Sequence, residues 1–285
     1  MSTGKKITRL KLMNINIITL FPEIFSALNS GLLGQAIERK DIAINIVNLR
    51  DYSMNEYGQV DDKPYGGGEG MVLMAEPLER SIQSISSDKR GNIVNLSPQG
   101  ERFSQSKAQK LSKLDNLTII AGRYEGIDER IINQYVDEEI SIGDFVLSGG
   151  EFAALTLIDV CARFIPGVIG NNKSVEQDSF SAGLLKGPVF TRPEKYNNES
   201  VPEILLSGNH ALIQEWKDEQ SLLRTLERRP ELLNNIKLTK KQKKLLESSY
   251  LSLRETYFLQ GKTAFNLEFK NIAGLGRSTK KVLVE

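Results

Sequence analysis

Short apolar runs alternate with amphipathic stretches along the first two-thirds of the chain. Four runs rich in Ile, Val and Leu predict β-strands. They are Ile15–Leu20, Ile42–Leu49, Asn92–Leu96 and Leu117–Ala121. Three stretches with helical periodicity lie among them, at Leu32–Lys40, Ala75–Ser86 and Ser104–Lys113. This alternation predicts an α/β domain with a largely parallel sheet.

The last third of the chain has a different pattern. Glu151–Phe164 is apolar almost all round, which predicts a buried helix that Pro166-Gly167 ends. Gly, Asn and Ser then dominate residues 170–186, which predicts a flexible linker or a loop that orders on binding. A small helical domain follows, with Asn209 as an N-cap and with His210 and Trp216 in its core. Its predicted helices are Pro202–Leu206, His210–Glu219, Gln220–Arg228 and Thr239–Tyr250.

Composition excludes several classes of protein. The 285 residues are long enough for two domains, and 40% hydrophobic with 26% charged residues is typical of a soluble globular chain. No apolar run reaches the roughly 18–20 residues of a membrane helix, and no apolar segment follows the basic start to form a secretory signal. A single cysteine, Cys161, and a single histidine, His210, exclude a disulfide framework and a cysteine or multi-histidine metal site. We therefore expect a cytoplasmic protein without a resident metal.

Charge is distributed unevenly along the chain. Residues 12–186 carry 16 Lys/Arg and 24 Asp/Glu, whereas residues 187–250 carry 11 and 9. Residues 1–11 add four basic residues and no acid. Such polarity is typical of an acidic catalytic part joined to a part that faces nucleic acid, although solvated lysine-rich helices give the same counts.

Three segments place glycine-bearing turns at or beyond strand ends. Leu96 precedes Ser97–Gly100, Ala121 precedes Gly122–Gly126, and a third segment runs from Ser141 to Gly150. In an open α/β sheet, ligands bind beyond the carboxyl ends of the strands. Three such loops predict a pocket whose backbone N–H and C=O groups suit an adenine ring and ribose. The alternative is three ordinary turns between strands and helices.

The segment Asp61–Gly70 holds four glycines within five residues. It lacks the Gly-Lys-Ser/Thr sequence of a phosphate-binding loop, and its acidic residues would repel a triphosphate. Two interpretations stay open for this glycine loop. It covers RNA or a cofactor, or it is a mobile surface loop.

The chain resembles the TrmD family of bacterial tRNA (guanine-N1)-methyltransferases, which belongs to the SPOUT class. The motifs that carry the resemblance follow one another in the family's order over about residues 13–247. They are Phe21-Pro22-Glu23, Pro64–Gly68, Leu96–Gly100, Gly122–Arg130, Ser141–Glu151, Arg163–Gly167, Asp178-Ser179-Phe180, Thr191–Glu194, Leu206–Ala211 and Arg228–Leu233.

The resemblance implies a domain organisation. Residues 13–168 would form a parallel α/β SPOUT domain with a deep trefoil knot, a topology that no sequence pattern reveals. Residues 169–186 would be the linker, and residues 187–250 a small, mainly helical domain that binds tRNA. Residues 1–12 and 251–285 have no counterpart in the family and would be extensions.

The resemblance also implies that the pocket binds the methyl donor S-adenosylmethionine. Glu125 would lie near the methionine end of this cofactor, although pairing with Arg123 or Arg130 is an alternative role for it. The remaining contacts would come from Leu96, Ser97, Pro98, Gly122, Ile142, Gly143, Asp144, Phe145, Val146 and Leu147, with Gly149 and Gly150 nearby.

The implied reaction is methylation of N1 of guanosine at position 37 of tRNA, next to the anticodon. Guanine N1 carries a proton at neutral pH, so the reaction needs a general base and a cation near O6. By resemblance Asp178 is the base and Arg163 the cation. Without the family, Asp178 is a solvated acid and Arg163 a residue at a helix C-terminus. Gln177, Glu69 and Lys63 depart from the family's common residues.

The implied partners are tRNA and a second copy of the chain. In the family's homodimer, the linker of one subunit completes the pocket of the other. A Mg²⁺ requirement stays open, as does the alternative that the protein binds RNA without catalysis. The basic residues expected to contact tRNA phosphates, unless they only solvate helices, are Lys217, Arg224, Arg228, Arg229, Lys240, Lys241, Lys243 and Lys244.

Overall fold

A computed structural model describes residues 12–170 and 177–259, the last nine of them by their backbone alone. The expectations for residues 1–11, for residues 171–176 of the linker and for residues 260–285 lie outside the described residues. Two compact units divide between residues 172 and 173.

The first unit is built around a five-stranded parallel sheet of order β2-β1-β6-β5-β7. The strands along the chain are β1 Met13–Thr19, β2 Ile42–Asn48, β3 Asp61–Asp62, β4 Val72–Leu73, β5 Asn92–Arg102, β6 Asn116–Ile120 and β7 Glu138–Ser141. The helices are α1 Gly31–Glu38, α2 Ala75–Ser84, α3 Ser87–Arg90, α4 Gln105–Leu111, α5 Glu129–Tyr135 and α6 Glu151–Ala162, with 3-10 helices at Pro22–Asn29 and Leu49–Tyr52. β3 and β4 form a separate antiparallel hairpin. The predicted parallel α/β domain is confirmed.

Both faces of the sheet are buried. Successive strand residues point to opposite faces, so Ile17 of β1 joins one apolar cluster and Ile18 joins the other. Leu157 of α6 packs in the first cluster and Leu78 of α2 in the second. Burial on both faces explains why these strands read as nearly continuous apolar runs.

Hydrogen-bonded polar side chains cross the three strands β2, β1 and β6, and those of Asn16 and Thr118 are buried. The Asn16 amide donates to Thr118 Oγ1 at 3.2 Å and to the Lys89 carbonyl at 3.0 Å. Asn45 donates to Asn16 Oδ1 at 3.0 Å, and Thr118 donates to the Arg90 carbonyl at 2.6 Å. Because a slip of one residue would leave the buried Asn16 and Thr118 side chains unpaired, these hydrogen bonds fix the strand register.

Two details of the first unit differ from the sequence prediction. Ser97–Gly100 was predicted to be a turn, but it is an irregularity inside β5, where Leu96 and Glu101 both pair with Ile140. The strand β7 and the helix α5 were not predicted. The four residues of β7 begin with two glutamates, so their apolar pattern is too weak to indicate a strand.

The second unit contains three helices and a short hairpin in its described residues. They are α7 Glu203–Leu206, α8 His210–Arg228, α9 Lys240–Leu259, β8 Lys195–Tyr196 and β9 Glu199–Ser200, with a 3-10 helix at Pro230–Asn235. Leu222, Leu226, Leu233 and Leu246 form its core.

Asn209 caps α8 as predicted, accepting a hydrogen bond from the Leu212 N–H at 3.3 Å. The two helices predicted on either side of residue 220 are one helix, since no helix breaker separates them. His210 is exposed rather than in the core, and Trp216 is half-buried with its ring 6.4 Å from that of Phe190. No helix within residues 12–170 and 177–259 is long and apolar enough to cross a membrane.

Candidate active site

A cavity of about 430 Å³ lies beyond the carboxyl ends of β6 and β7 and beside the irregular part of β5. The three strands are parallel neighbours, so the segments that follow β6 and β7 meet the irregular part of β5 at one edge of the sheet. The lining residues are Asn95–Gln99, Gly122–Ile127, Glu129, Ile132, Glu139–Gly143, Phe145–Gly150 and Ala153.

The three predicted loops meet in this one cavity. Every predicted cofactor residue lines it except Asp144, whose side chain is 91% exposed and lies 4.0 Å from Arg102. Sequence reasoning missed other lining residues, among them Asn95, Arg123 and Glu139. These residues are next to predicted positions in the sequence, and that adjacency was the available signal for them. Whether their side chains face the cavity, however, depends on where the strands end. Cofactor binding by these residues stays a prediction.

The floor of the cavity joins the loop after β6 to the start of α6. The Gly150 N–H donates to the Gly122 carbonyl at 2.8 Å, and Arg123 Nη1 donates to the Ser148 carbonyl at 3.1 Å. A Cβ on Gly150 would lie 2.9 Å from the Ala121 Cα. Glycine is therefore required at position 150 for the two backbones to approach.

A buried ion pair lies at this floor. Arg123 Nε lies 3.1 Å from Glu151 Oε1 and 3.0 Å from Oε2, and the guanidinium carbon stands 4.4 Å from the centre of the Phe21 ring. The Glu151 side chain is fully buried, and Thr19 Oγ1 donates to it at 3.2 Å. The pair was not predicted, since nothing in a sequence couples residues 28 positions apart.

The cavity is lined mainly by acids among its ionisable side chains. Arg123 faces it together with Glu125, Glu129 and Glu139, and the charge of Arg123 is already paired with Glu151. The remaining carboxylates give the cavity a negative potential. Such a potential favours a ligand that carries positive charge.

The glycine loop ends against the wall of the cavity. β3 and β4 bracket it, and the Glu125 N–H donates to the Met71 carbonyl at 3.0 Å, while the Leu73 N–H donates to the Gly126 carbonyl at 3.0 Å. Gly70 has φ of +93°, and a Cβ there would lie 2.6 Å from Cγ of Glu125. The end of the loop thus sets the space available to the Glu125 side chain.

The alternative role for Glu125 as a partner of Arg123 or Arg130 does not match the geometry. Arg123 pairs with Glu151, and Arg130 pairs with Asp128 through Nε–Oδ1 at 2.9 Å and Nη2–Oδ2 at 2.7 Å. Hydrogen bonding to Arg130 holds the pKa of Asp128 below its ordinary value. Asp128 also caps α5, accepting from the Arg130 N–H at 2.9 Å.

The two predicted catalytic residues belong to different units. Arg163 follows the last turn of α6, where its N–H bonds the Asp159 carbonyl at 3.3 Å. Asp178 lies in a turn of the second unit, with Lys186 Nζ 3.5 Å from its Oδ1. That turn is fixed to α8 by the Leu185 N–H, which donates to Thr225 Oγ1 at 2.9 Å. Their catalytic roles stay predictions.

The basic residues of the second unit fall into two groups. Lys241 pairs with Glu215 and Glu219, and Arg229 pairs with Glu231, so these two are engaged within the unit. Lys240, Lys243 and Lys244 form no ion pair among the residues that the structure describes. Arg224 lines an open groove together with Gln220, Glu227, Ser248 and Ser249, among others.

Cysteine and metal chemistry find no support in the described part of the chain. Cys161 is buried in α6, and burial raises the pKa of its thiol to about 12, which leaves it protonated and unreactive at neutral pH. In residues 12–170 and 177–250, no three His, Cys, Asp or Glu side chains form a group that could hold a metal ion.

The fold and the cavity define a class of protein: an open parallel α/β protein with a small-molecule site beyond the carboxyl ends of its strands. The sequence profile described as tRNA (Guanine-1)-methyltransferase TrmD matches residues 13–235. The chain therefore belongs to the TrmD family.

Close relatives support the assignment. A tRNA (guanine-N(1)-)-methyltransferase of Exiguobacterium sibiricum is 50% identical over 83% of this chain and 97% of its own length. A protein of the same name from Staphylococcus epidermidis is 49% identical over the same shares. One from Staphylococcus aureus strain JH9 is 47% identical over 85% of this chain and its own full length.

Two glycine substitutions separate backbone strain from displacement of Glu125. Gly67 and Gly70 both have left-handed φ, +80° and +93°, but only Gly70 lies against another side chain. We expect Gly70→Ala to lower the methyl-transfer rate at least about tenfold, because small misplacements at an active site are costly. Gly67→Ala should stay within about threefold of wild type, because it introduces only the same backbone strain. Equal rates for the two variants, measured with tRNA in single turnover, would contradict a role for this contact.

Proposed function

We propose that the protein transfers a methyl group from S-adenosylmethionine to N1 of guanosine in tRNA, at position 37 beside the anticodon. The observation that carries the proposal is the acid-lined cavity between the carboxyl ends of β6 and β7 and the irregular part of β5, in a chain of the TrmD family. The names of the relatives support the guanine N1 specificity.

The cavity fits the proposed methyl donor. Its volume of about 430 Å³ falls within the roughly 300–1,000 Å³ range of small-molecule sites. The backbone groups of Leu96–Pro98, Gly122, Ile142, Gly143 and Phe145–Leu147 would hold the nucleoside, and the exposed rings of Tyr124 and Phe145 offer apolar cover. Glu125 and its neighbouring carboxylates favour the positive charge of the donor. When bound, S-adenosylmethionine supplies an electrophilic methyl carbon on a sulfonium.

The reaction requires removal of the guanine N1 proton as the nitrogen lone pair attacks the methyl carbon. In our proposal the Asp178 carboxylate accepts this proton as general base. The Arg163 guanidinium donates to O6 and stabilises the negative charge that develops there. A protein that only bound RNA would need neither group, and the retention of both supports the enzymatic function over that alternative.

Replacing the proposed base by its isosteric amide tests this role. Asp178→Asn should lower the single-turnover rate by about 100-fold or more, the usual contribution of a general base. Its affinities for S-adenosylmethionine and tRNA should stay close to wild type, since size and shape are kept. Asp144→Asn provides the control, because that carboxylate is exposed and lies outside the cavity lining. A rate for Asp178→Asn within about threefold of wild type would remove Asp178 from the role of base.

We further propose that the first unit contains the family's trefoil knot. We also propose that the active enzyme is a homodimer in which Asp178 of one subunit meets Arg163 of the other. An exposed apolar surface near the cavity supports the dimer. Phe152 projects from the otherwise largely buried α6 and is 54% exposed, and Val146 on the cavity rim is 83% exposed. Burial of this apolar surface against a second copy would stabilise the assembly.

Mixing two inactive variants tests whether the site is shared. In a mixed dimer of Arg163→Ala and Asp178→Ala subunits, one site loses both residues and the other keeps both. After complete exchange, activity should recover to about a quarter of wild type, because half of the dimers are mixed and each has one intact site. Absence of recovery, with exchange verified by mass spectrometry of tagged subunits, would indicate a site made within one chain.

The second unit is proposed to bind the anticodon branch of tRNA through phosphate contacts. Candidates are the basic residues without ion pairs in the described structure, chiefly those at the start of α9. Contacts to phosphates raise affinity without reading sequence and make it depend on salt. The choice of guanosine would then rest on the pocket instead.

A salt series distinguishes RNA-binding lysines from solvated ones. Lys240→Gln/Lys243→Gln/Lys244→Gln should weaken tRNA binding and flatten the plot of log K against log salt by roughly 0.7–0.9 per lost contact. Lys241→Gln is the matched control, because Lys241 already pairs with Glu215 and Glu219. A triple variant with the wild-type slope would show that these lysines do not contact RNA.

A further inference from the structure

The buried Glu151 has no part in the chemistry proposed above, yet it lies directly beneath the cavity. Its side chain is fully buried at the first residue of α6, and its partner Arg123 is a lining residue that is 18% exposed. Buried ion pairs rarely add stability over apolar residues of similar size, because both charges lose their hydration. The stability of the fold therefore does not explain a carboxylate at this position.

The contacts of Arg123 connect the segments that form the cavity. Nη1 binds the Ser148 carbonyl at 3.1 Å, Nε binds Glu151, and the guanidinium stacks on Phe21. A Cβ on Gly149 would lie 2.2 Å from Arg123 Nε and 2.5 Å from Glu151 Oε2, so the loop closes over the pair with no spare room. Glu151 thus fixes where the guanidinium, and through it the loop before α6, is held.

The pair also sets the charge at the cavity floor. The Arg123 cation and the positive end of the α6 dipole both lie at the cavity that the proposed cationic donor would occupy. Glu151 compensates both, and Thr19 holds its carboxylate in place at 3.2 Å. Without Glu151, the charge of Arg123 would be uncompensated and the cavity would bind a cationic ligand less well.

We propose that Glu151 is a positioning residue that holds Arg123 beneath the methyl-donor loops and cancels its charge, so that the cavity accepts a cationic donor. This inference rests on the proposed use of S-adenosylmethionine. It predicts selective loss of affinity for the charged donor over its neutral product, S-adenosylhomocysteine. The two ligands differ by one methyl group and one positive charge.

Calorimetric titration of both ligands tests the inference without turnover. Glu151→Gln should weaken S-adenosylmethionine binding roughly tenfold more than S-adenosylhomocysteine binding, since unit charges within about 10 Å interact strongly at the dielectric of a protein site. Glu138→Gln is the matched control, because it removes a carboxylate paired with Lys107 at 2.6 Å on β7 but outside the cavity lining. Its ratio of the two dissociation constants should equal that of wild type.

A double variant separates charge from folding. Arg123→Gln/Glu151→Gln removes both charges and should return the ratio of dissociation constants to within about threefold of wild type, even where both affinities fall. An unchanged ratio in Glu151→Gln, or an equal loss for both ligands, would overturn the inference while leaving the proposed function intact. If Glu151→Gln does not fold, the inference is overturned by a double variant whose affinity still falls more for S-adenosylmethionine than for S-adenosylhomocysteine. Wild-type protein that binds neither ligand would instead refute the proposed cofactor, and the inference with it.

Discussion

The hydrogen bond from the Gly150 N–H to the Gly122 carbonyl, 2.8 Å long, is the contact on which the site depends. It joins the segment after β6 to the first turn of α6, and it forms because Gly150 carries no side chain. A Cβ on Gly150 would lie 2.9 Å from Ala121 Cα. Once this contact is made, Glu151 must lie beneath the loops and Arg123 must reach it. The cavity is the space left above them.

The parallel sheet makes that contact possible. All five strands point the same way, so the segments that follow β6 and β7 reach the edge of the sheet where the irregular part of β5 lies. The register has little tolerance for error, because Asn16, Asn45 and Thr118 would lose their buried partners in any other alignment. These hydrogen bonds across the sheet therefore affect the site, although they lie away from it. They fix the relative positions of the strand ends, so that the segments lining the cavity can meet.

Much of this organisation could be predicted from local sequence. Runs of branched residues marked four of the five sheet strands, and glycines beyond strand ends marked the loops that line the cavity. The Asn209 cap needed only its own side chain and the N–H three residues later. Each of these features is decided by neighbouring residues, which is why pattern alone sufficed.

The remaining features depend on residues distant in the chain. Ser97–Gly100 reads as a turn, but β7 keeps it inside β5, and a Cβ on Gly100 would lie 2.4 Å from the Ile140 nitrogen. Glu151 looks like an ordinary acid at a helix start until Arg123 is found beside it. His210 was expected in a core, yet Leu222 and its neighbours fill that core without it. Pairing across the fold decides all three, and periodicity carries no information about it.

The acidic lining of the cavity offers a reason for the uneven distribution of charge along the chain. An acidic first unit repels the phosphates of RNA, so it contributes little to RNA affinity by long-range attraction. Its carboxylates at Glu125, Glu129 and Glu139 instead surround a cavity whose one lining cation is neutralised from below by Glu151. The same negative potential that opposes RNA therefore favours a cationic methyl donor. Affinity for RNA must come from elsewhere, and in the described chain the unpaired lysines at the start of α9 are suited to supply it. Charge of opposite sign on the two parts thus follows from the opposite charges of the two proposed substrates.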